Sequence, residues 1–124
     1  MLKVDTPTQV LWLDDDGIVH VEVKPGSVVA LSDAVEAVRA LAQLTGGSKR
    51  PVLVDMTRTQ GIDREARNYF AGPECAKYER ASALLVNSPL TRAFGNFFLG
   101  LNKPSIPTRL FSDEVEALMW LRTF

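Results

Sequence analysis

The sequence predicts an α/β fold: a single domain over residues 1–124, built on a mostly parallel five-stranded sheet with one antiparallel edge strand. Three observations predict it. Val19, Val21 and Val23 alternate with His20, Glu22 and Lys24, the period-two pattern of a half-buried strand. Val52-Leu53-Val54 and Ala83-Leu84-Leu85-Val86 are short, continuously apolar runs, as expected of strands covered on both faces. Between these runs lie stretches with helical apolar spacing, so the element order reads β-β-α-β-α-β-α-β-α. Alternating strands and helices of this kind wrap into a parallel sheet with right-handed crossovers.

The first strand covers Thr8 to Leu13, and Asp14-Asp15-Asp16-Gly17 reverses the chain into the second, Ile18 to Val23. After Pro25-Gly26, Ser32 is the expected N-cap of a helix with Leu31, Val35, Val38, Leu41 and Ala42 on its apolar side, stopped at Thr45-Gly46-Gly47. Pro51 to Asp55 is the expected central strand. Asp63 opens a helix through Phe70 that buries Ala66, Tyr69 and Phe70, and Gly72-Pro73 separates it from a short helix through Tyr78. The strand Ala83–Val86 leads to Ser88-Pro89, an N-cap followed by proline at the first helical position. Leu90, Phe94, Phe97 and Leu101 form that helix's stripe, and Asn102-Lys103-Pro104 ends it. Thr108 to Phe111 is the last strand, and Ser112-Asp113-Glu114 opens the last helix.

Composition excludes several functions. With 14 basic and 15 acidic residues and a net charge of −1, no broad positive field gathers phosphates, so nucleic acid is not an expected partner. No apolar stretch is long enough to cross a bilayer, and the N-terminus lacks a signal-peptide pattern. A cytoplasmic protein is expected, in keeping with the single cysteine, Cys75. His20 is the sole histidine and has no second ligand at zinc spacing, so no metal site is expected; it reads as a solvent-facing strand residue. Asp14–Asp16 lack the glycine and distal glutamate of a calcium loop and read as a turn. No activating base accompanies Cys75, and Thr45-Gly46-Gly47-Ser48-Lys49 precedes a strand where a phosphate loop would follow one. No catalytic constellation and no cofactor motif are found; Asp55, Asp63 and Glu65 are the only acids placed at a strand-end cleft.

The element order, together with the closing run Pro107-Thr108-Arg109-Leu110-Phe111-Ser112-Asp113-Glu114-Val115-Glu116-Ala117-Leu118-Met119-Trp120-Leu121, resembles the STAS domain family of sulfate transporters and anti-sigma-factor antagonists. The resemblance spans nearly the whole chain and implies a non-enzymatic regulatory domain that recognises a protein. Antagonist members carry a strand-ending aspartate and, eight positions on, a second aspartate followed by serines and a glycine, one serine being phosphorylated. Asp55 and Asp63 keep that separation here, whereas Arg64, Glu65 and Ala66 stand where the serines and glycine belong, with Glu65 at the phosphoacceptor. Glu65 either imitates a phosphoserine with a single charge or simply favours the dipole of the helix it opens.

In open α/β sheets ligands gather outside the carboxyl ends of the strands. The expected binding rim is therefore Asp55, Thr57, Arg58, Asp63, Arg64, Glu65, Ser88 and Arg92. Its arginines read either as an anion clamp or as solvated surface groups. The last helix is apolar on two sides, with Val115, Leu118 and Met119 on one and Ala117, Trp120, Leu121 and Phe124 on the other. Phe98, Trp120 and Phe124 are accordingly candidate interface residues for a protein partner or for a homodimer. The alternative is a small-molecule or lipid-binding module of the same fold, a small apolar ligand lying among Phe94, Phe97, Phe98 and Trp120.

Overall fold

The computed structural model describes residues 2–124. The chain enters through strand β1 (Lys3–Asp5) and turns into β2 (Gln9–Leu13). At that turn the Thr6 hydroxyl donates to the Gln9 carbonyl (3.1 Å) and accepts from the Gln9 amide (3.0 Å). β2 and β3 (Val19–Val23) form the expected hairpin, with Leu11 opposite Val21 and Trp12 opposite His20. Its turn is built by one aspartate: the Asp14 carboxylate accepts from the Asp16 and Ile18 amides at 2.9 and 3.0 Å, while Gly17 takes the left-handed φ of 81°. The acidic run is thus turn chemistry.

A two-residue strand β4 (Val28–Val29) precedes helix α1 (Leu31–Thr45), after which β5 (Arg50–Asp55) returns parallel to β3. β6 (Gly61–Ile62) pairs with β4 in a separate two-stranded ribbon. Helices α2 (Arg64–Phe70) and α3 (Pro73–Ala76) lead to β7 (Glu79–Leu85), and α4 (Pro89–Phe97) continues as a π-helical turn over Phe98–Asn102. The chain closes with β8 (Thr108–Phe111) and α5 (Glu114–Leu121). The main sheet has six strands in the order β1-β2-β3-β5-β7-β8, with β3, β5, β7 and β8 parallel. That is one strand more than the five expected, because Lys3–Asp5 adds an outer antiparallel edge that a single half-buried Val4 does not advertise as a strand.

Adjacent side chains on β5 divide the molecule into layers. Val52 joins Leu11, Val21, Val38 and Leu41 on one face, whereas Leu53 joins Ala83, Leu85, Phe111, Ala117 and Leu121 on the other. Helices α1 and α4 therefore cover one face and α5 the opposite one. Within the Ser112-Asp113-Glu114 run expected to open α5, the N-cap is Asp113, whose carboxylate accepts from the Val115 and Glu116 amides at 2.8 and 3.3 Å.

Two helices depart from the sequence reading. Helix α1 starts at Leu31 with Ala30 as N-cap, because the Asp33 carboxylate reaches back to the Ala30 amide (2.9 Å); Ser32 lies within the first turn. Its buried side is Ala34, Ala37, Val38, Ala40, Leu41 and Thr45, which leaves Leu31 exposed and Val35 and Ala42 half-buried. Helix α4 keeps its predicted Ser88 cap, which accepts from the Thr91 amide at 3.1 Å. It is rotated, however: Thr91 and Gly95 are buried, Phe94 and Phe98 half-buried, and Leu90, Phe97 and Leu101 exposed. The reason is Gly95, whose missing side chain lets Leu110 of β8 lie directly on the helix backbone.

A methyl group at residue 95 would run into the Leu110 side chain. Gly95→Ala is therefore expected to destabilise the protein by about 1–3 kcal/mol in spite of alanine's better helix propensity. Chemical denaturation measures this. Leu110→Ala in the same chain should relieve part of the loss, and additive effects of the two substitutions would contradict the contact.

Candidate functional site

The loops after β3, β5 and β7 emerge at the same, carboxyl end of the sheet, and this end collects every residue of the expected rim. Several are occupied with local structure. Asp55 accepts from the Thr57 amide at 2.9 Å and from the Thr57 hydroxyl at 2.6 Å, which closes the turn after β5. Ser88 is held by Thr91, the two hydroxyls lying 2.9 Å apart. Asp63 occupies the N-cap position of α2 without a side-chain cap bond, and its amide donates to the Val29 carbonyl at 2.9 Å. Arg58, Arg64, Glu65 and Arg92 project into solvent, and among the described residues none of them forms an ion pair.

Sequence reasoning missed the apolar part of this rim. Val28, Leu31 and Leu90 are 54%, 44% and 52% exposed, far more than ordinary core aliphatics. Leu31 and Leu90 match the helical period, so they read as core; only the rotation of α1 and α4 turns them outward. The β4–β6 ribbon braces Val28, with the Gln60 amide donating to the Ser27 carbonyl at 3.0 Å.

The other candidates fall elsewhere. Phe98 packs against Met56, Leu84 and Val86, inside the layer between sheet and α4. Trp120 is half-buried against Phe111, with ring centroids 5.6 Å apart, and Phe124 meets it edge-on at 4.9 Å. The exposed side of α5 is Val115 and Met119. His20 is not solvent-facing: its Nε2 lies 2.7 Å from the Asp14 carboxylate, and its ring stacks on Trp12 at 5.0 Å. Burial alone would raise the Asp14 carboxyl, but hydrogen bonds from His20, Ile18 and Asp16 outweigh it and hold that group below its ordinary value. Among the described residues no three His, Cys, Asp or Glu side chains converge as metal ligands.

A cavity of about 90 Å³ lies between the sheet and the helices of the α1–α4 layer, walled mainly by the valines of β3 and β5 and by Phe94 and Phe98. Phe97 and Trp120, expected beside those two aromatics, do not line it. At the carboxyl end of the sheet it is bounded by Gln9, Thr59 and Arg67, and at the other by Cys75, Glu79 and Ser82. Burial pushes the Glu79 carboxyl up to about 7 from an ordinary 4.5, with the Cys75 thiol pulling slightly the other way. Burial and the adjoining Glu79 push the Cys75 thiol up as well, which makes it a poor nucleophile. An acid at the head of a strand normally meets solvent, so nothing in the sequence marks Glu79.

A layered α/β domain with this sheet order and helix placement defines the class: the chain has the SpoIIAA-like, STAS-type fold. It belongs to the family DUF7793, a domain of unknown function, whose model matches residues 11–124. It is similar in structure to an uncharacterised DUF3478-family protein with a SpoIIAA-like fold from Shewanella loihica PV-4, at 17% identity and a TM-score of 0.68 over 98% of this chain and 99% of that one. It is also similar to an anti-sigma factor antagonist from Mycobacterium paratuberculosis, at 20% identity and a TM-score of 0.66 over 96% and 99%. A protein with unknown function from Arthrobacter sp. FB24 is 38% identical over 98% of each chain, with a TM-score of 0.38. No curated protein matches the sequence. Among the described residues no helix is long and apolar enough to cross a membrane.

Between pH 4.5 and about 7 the unfolded chain gives up the Glu79 proton while the folded protein keeps it. Stability therefore falls as pH rises through that window, by on the order of 3 kcal/mol for this group. Glu79→Gln is expected to flatten the fall, matching the wild type near pH 4.5 and melting at a higher temperature at pH 8. Thermal unfolding against pH checks this, and parallel curves for the two proteins would refute it.

Proposed function

We propose that the chain is a non-enzymatic, cytoplasmic regulatory domain that works by binding another protein at the carboxyl rim of its sheet. The observation that carries this reading is the composition of that rim. Val28, Leu31 and Leu90 are exposed at the same end of the sheet as Arg58, Arg64, Glu65 and Arg92, which have no ion-pair partner among the described residues. Exposed aliphatic side chains and free charges at one end suit a protein partner, since the apolar groups gain by desolvation and the charges set orientation. Asp55, Thr57, Asp63 and Ser88 shape the backbone that presents them. The similarly folded protein named as an anti-sigma factor antagonist supports the regulatory part of the reading. Glu65 gives this rim a permanent negative charge at the helix start, without a hydroxyl to modify. A partner captured from host lysate by the wild type should be lost with Leu31→Asp and with the pair Arg58→Glu and Arg64→Glu, but kept with Met119→Asp on the far face. The reverse pattern would refute the assignment.

The same reading includes a homodimer through α5, where Val115 and Met119 are 65% and 61% exposed and Phe124 lies at the helix end, next to Trp120. Phe98 lies on the opposite face, in the layer between the sheet and α4. Sedimentation at high protein concentration should show a dimer that Met119→Asp converts to monomer; a wild-type monomer under those conditions contradicts it.

A second reading, binding of a small apolar molecule, is favoured by the cavity between the sheet and the α1–α4 layer, where Phe94 and Phe98 meet the valines of the sheet.

A further inference from the structure

We propose that a pocket at the amino end of the sheet, opposite the rim, takes a diphosphate group held by Lys49, Arg50 and Arg80. The pocket has a volume of about 260 Å³ and lies between the β2–β3 turn, the first residues of β5 and β7, and the end of α5. Its wall is mostly polar, unlike that of the interior cavity. Four of the chain's 14 basic residues line it, Lys49, Arg50, Arg80 and Arg122, against one acid, Asp16, although the chain as a whole carries a net charge of −1.

The backbone brings these cations together. Between β5 and β7 the register shifts, Arg50 pairing with Glu79 and Pro51 with Ala81, so Arg80 is the extra residue of a bulge, outside the alternation that sends Glu79 to one face and Ala81 to the other. A β-carbon at Gly17 would stand 2.9 Å from the Arg50 Nη1, so that guanidinium rests on the hairpin turn. Arg122 is already engaged: its Nη2 and Nε lie 3.1 and 3.2 Å from the Asp16 carboxylate, and it stands at the negative end of the α5 dipole. Among the described residues no other carboxylate lies within ion-pair distance of the four, which leaves Lys49, Arg50 and Arg80 without a counter-charge. Like charges around one concavity repel, and an anion that bridges them removes the repulsion. A phosphoryl group brings nearly two negative charges at neutral pH and three strong acceptor oxygens, which guanidinium forks engage in pairs. Two linked groups match three cations where one does not, and about 260 Å³ has room for both. A nucleic-acid backbone would need an extended positive track, whereas these charges close around a single hollow.

Calorimetric titration of the full chain with diphosphate, methyl diphosphate, inorganic phosphate and sulfate, at about 0.15 M salt, tests the assignment. Diphosphate should bind roughly tenfold more tightly than phosphate or sulfate. Methyl diphosphate binding as tightly as diphosphate identifies an ester as the ligand, and weaker binding identifies the free ion. Arg50 and Arg80 are exposed, so Arg50→Ala and Arg80→Ala should keep the wild-type melting temperature while each weakens diphosphate about tenfold. Arg58→Ala, at the rim, should leave diphosphate binding unchanged. Diphosphate should also shift the NMR amide signals of Gly17, Ile18 and Arg80 in the wild type, a readout that serves if a variant fails to fold. No binding of diphosphate, binding no tighter than that of sulfate, undiminished binding by the double variant Arg50→Ala and Arg80→Ala, or signal shifts at the rim instead would each overturn the site.

Discussion

Val52 and Leu53 are neighbours on one strand, yet each is buried in a different core. The pleat of β5 turns successive side chains to opposite faces, so both must be covered, and a strand covered twice requires helices above and below. Once β5 lies between parallel β3 and β7, right-handed crossovers bring each following loop out at the same end of the sheet. The rim is a consequence of that burial. Its charged residues come from separate segments and share a surface because the hydrophobic requirement at β5 leaves the connections nowhere else to run.

Legibility in the sequence tracked the locality of the forces. The β2–β3 hairpin was readable because Asp14 and Gly17 act within a few residues of each other. The caps at Ser88 and Asp113 were readable for the same reason. What failed was any property set across the sheet. The rotation of α4 depends on Gly95 meeting Leu110, fifteen positions away, and apolar periodicity carries no record of that meeting. It led instead to Leu90, Phe97 and Leu101 as core, all of which face outward. The six strands became visible only with the pairing of Lys3–Asp5 on β2.

The rim residues themselves were legible as a group, because strand ends in a parallel sheet can be placed from strand order alone. Their division of labour was not. Asp55 and Ser88 look as available in the sequence as Arg58 and Arg92, but hydrogen bonds hold the first two to their own loops. The distinction matters physically, since a side chain already bonded offers a partner little, whereas a free charge next to an exposed leucine offers both orientation and desolvation. Arg64 and Glu65 at the start of α2 add to this rim charge without a hydroxyl at either position.

The interior repeats the contrast between bonded and open polar groups. Gln9, Thr59, Arg67 and Glu79 all lie around one mostly apolar cavity, at its two ends. The two ends settle their polar groups differently: Arg67 donates through Nη1 to the Ile62 carbonyl, whereas burial raises the Glu79 carboxyl to about 7 and so favours its neutral form.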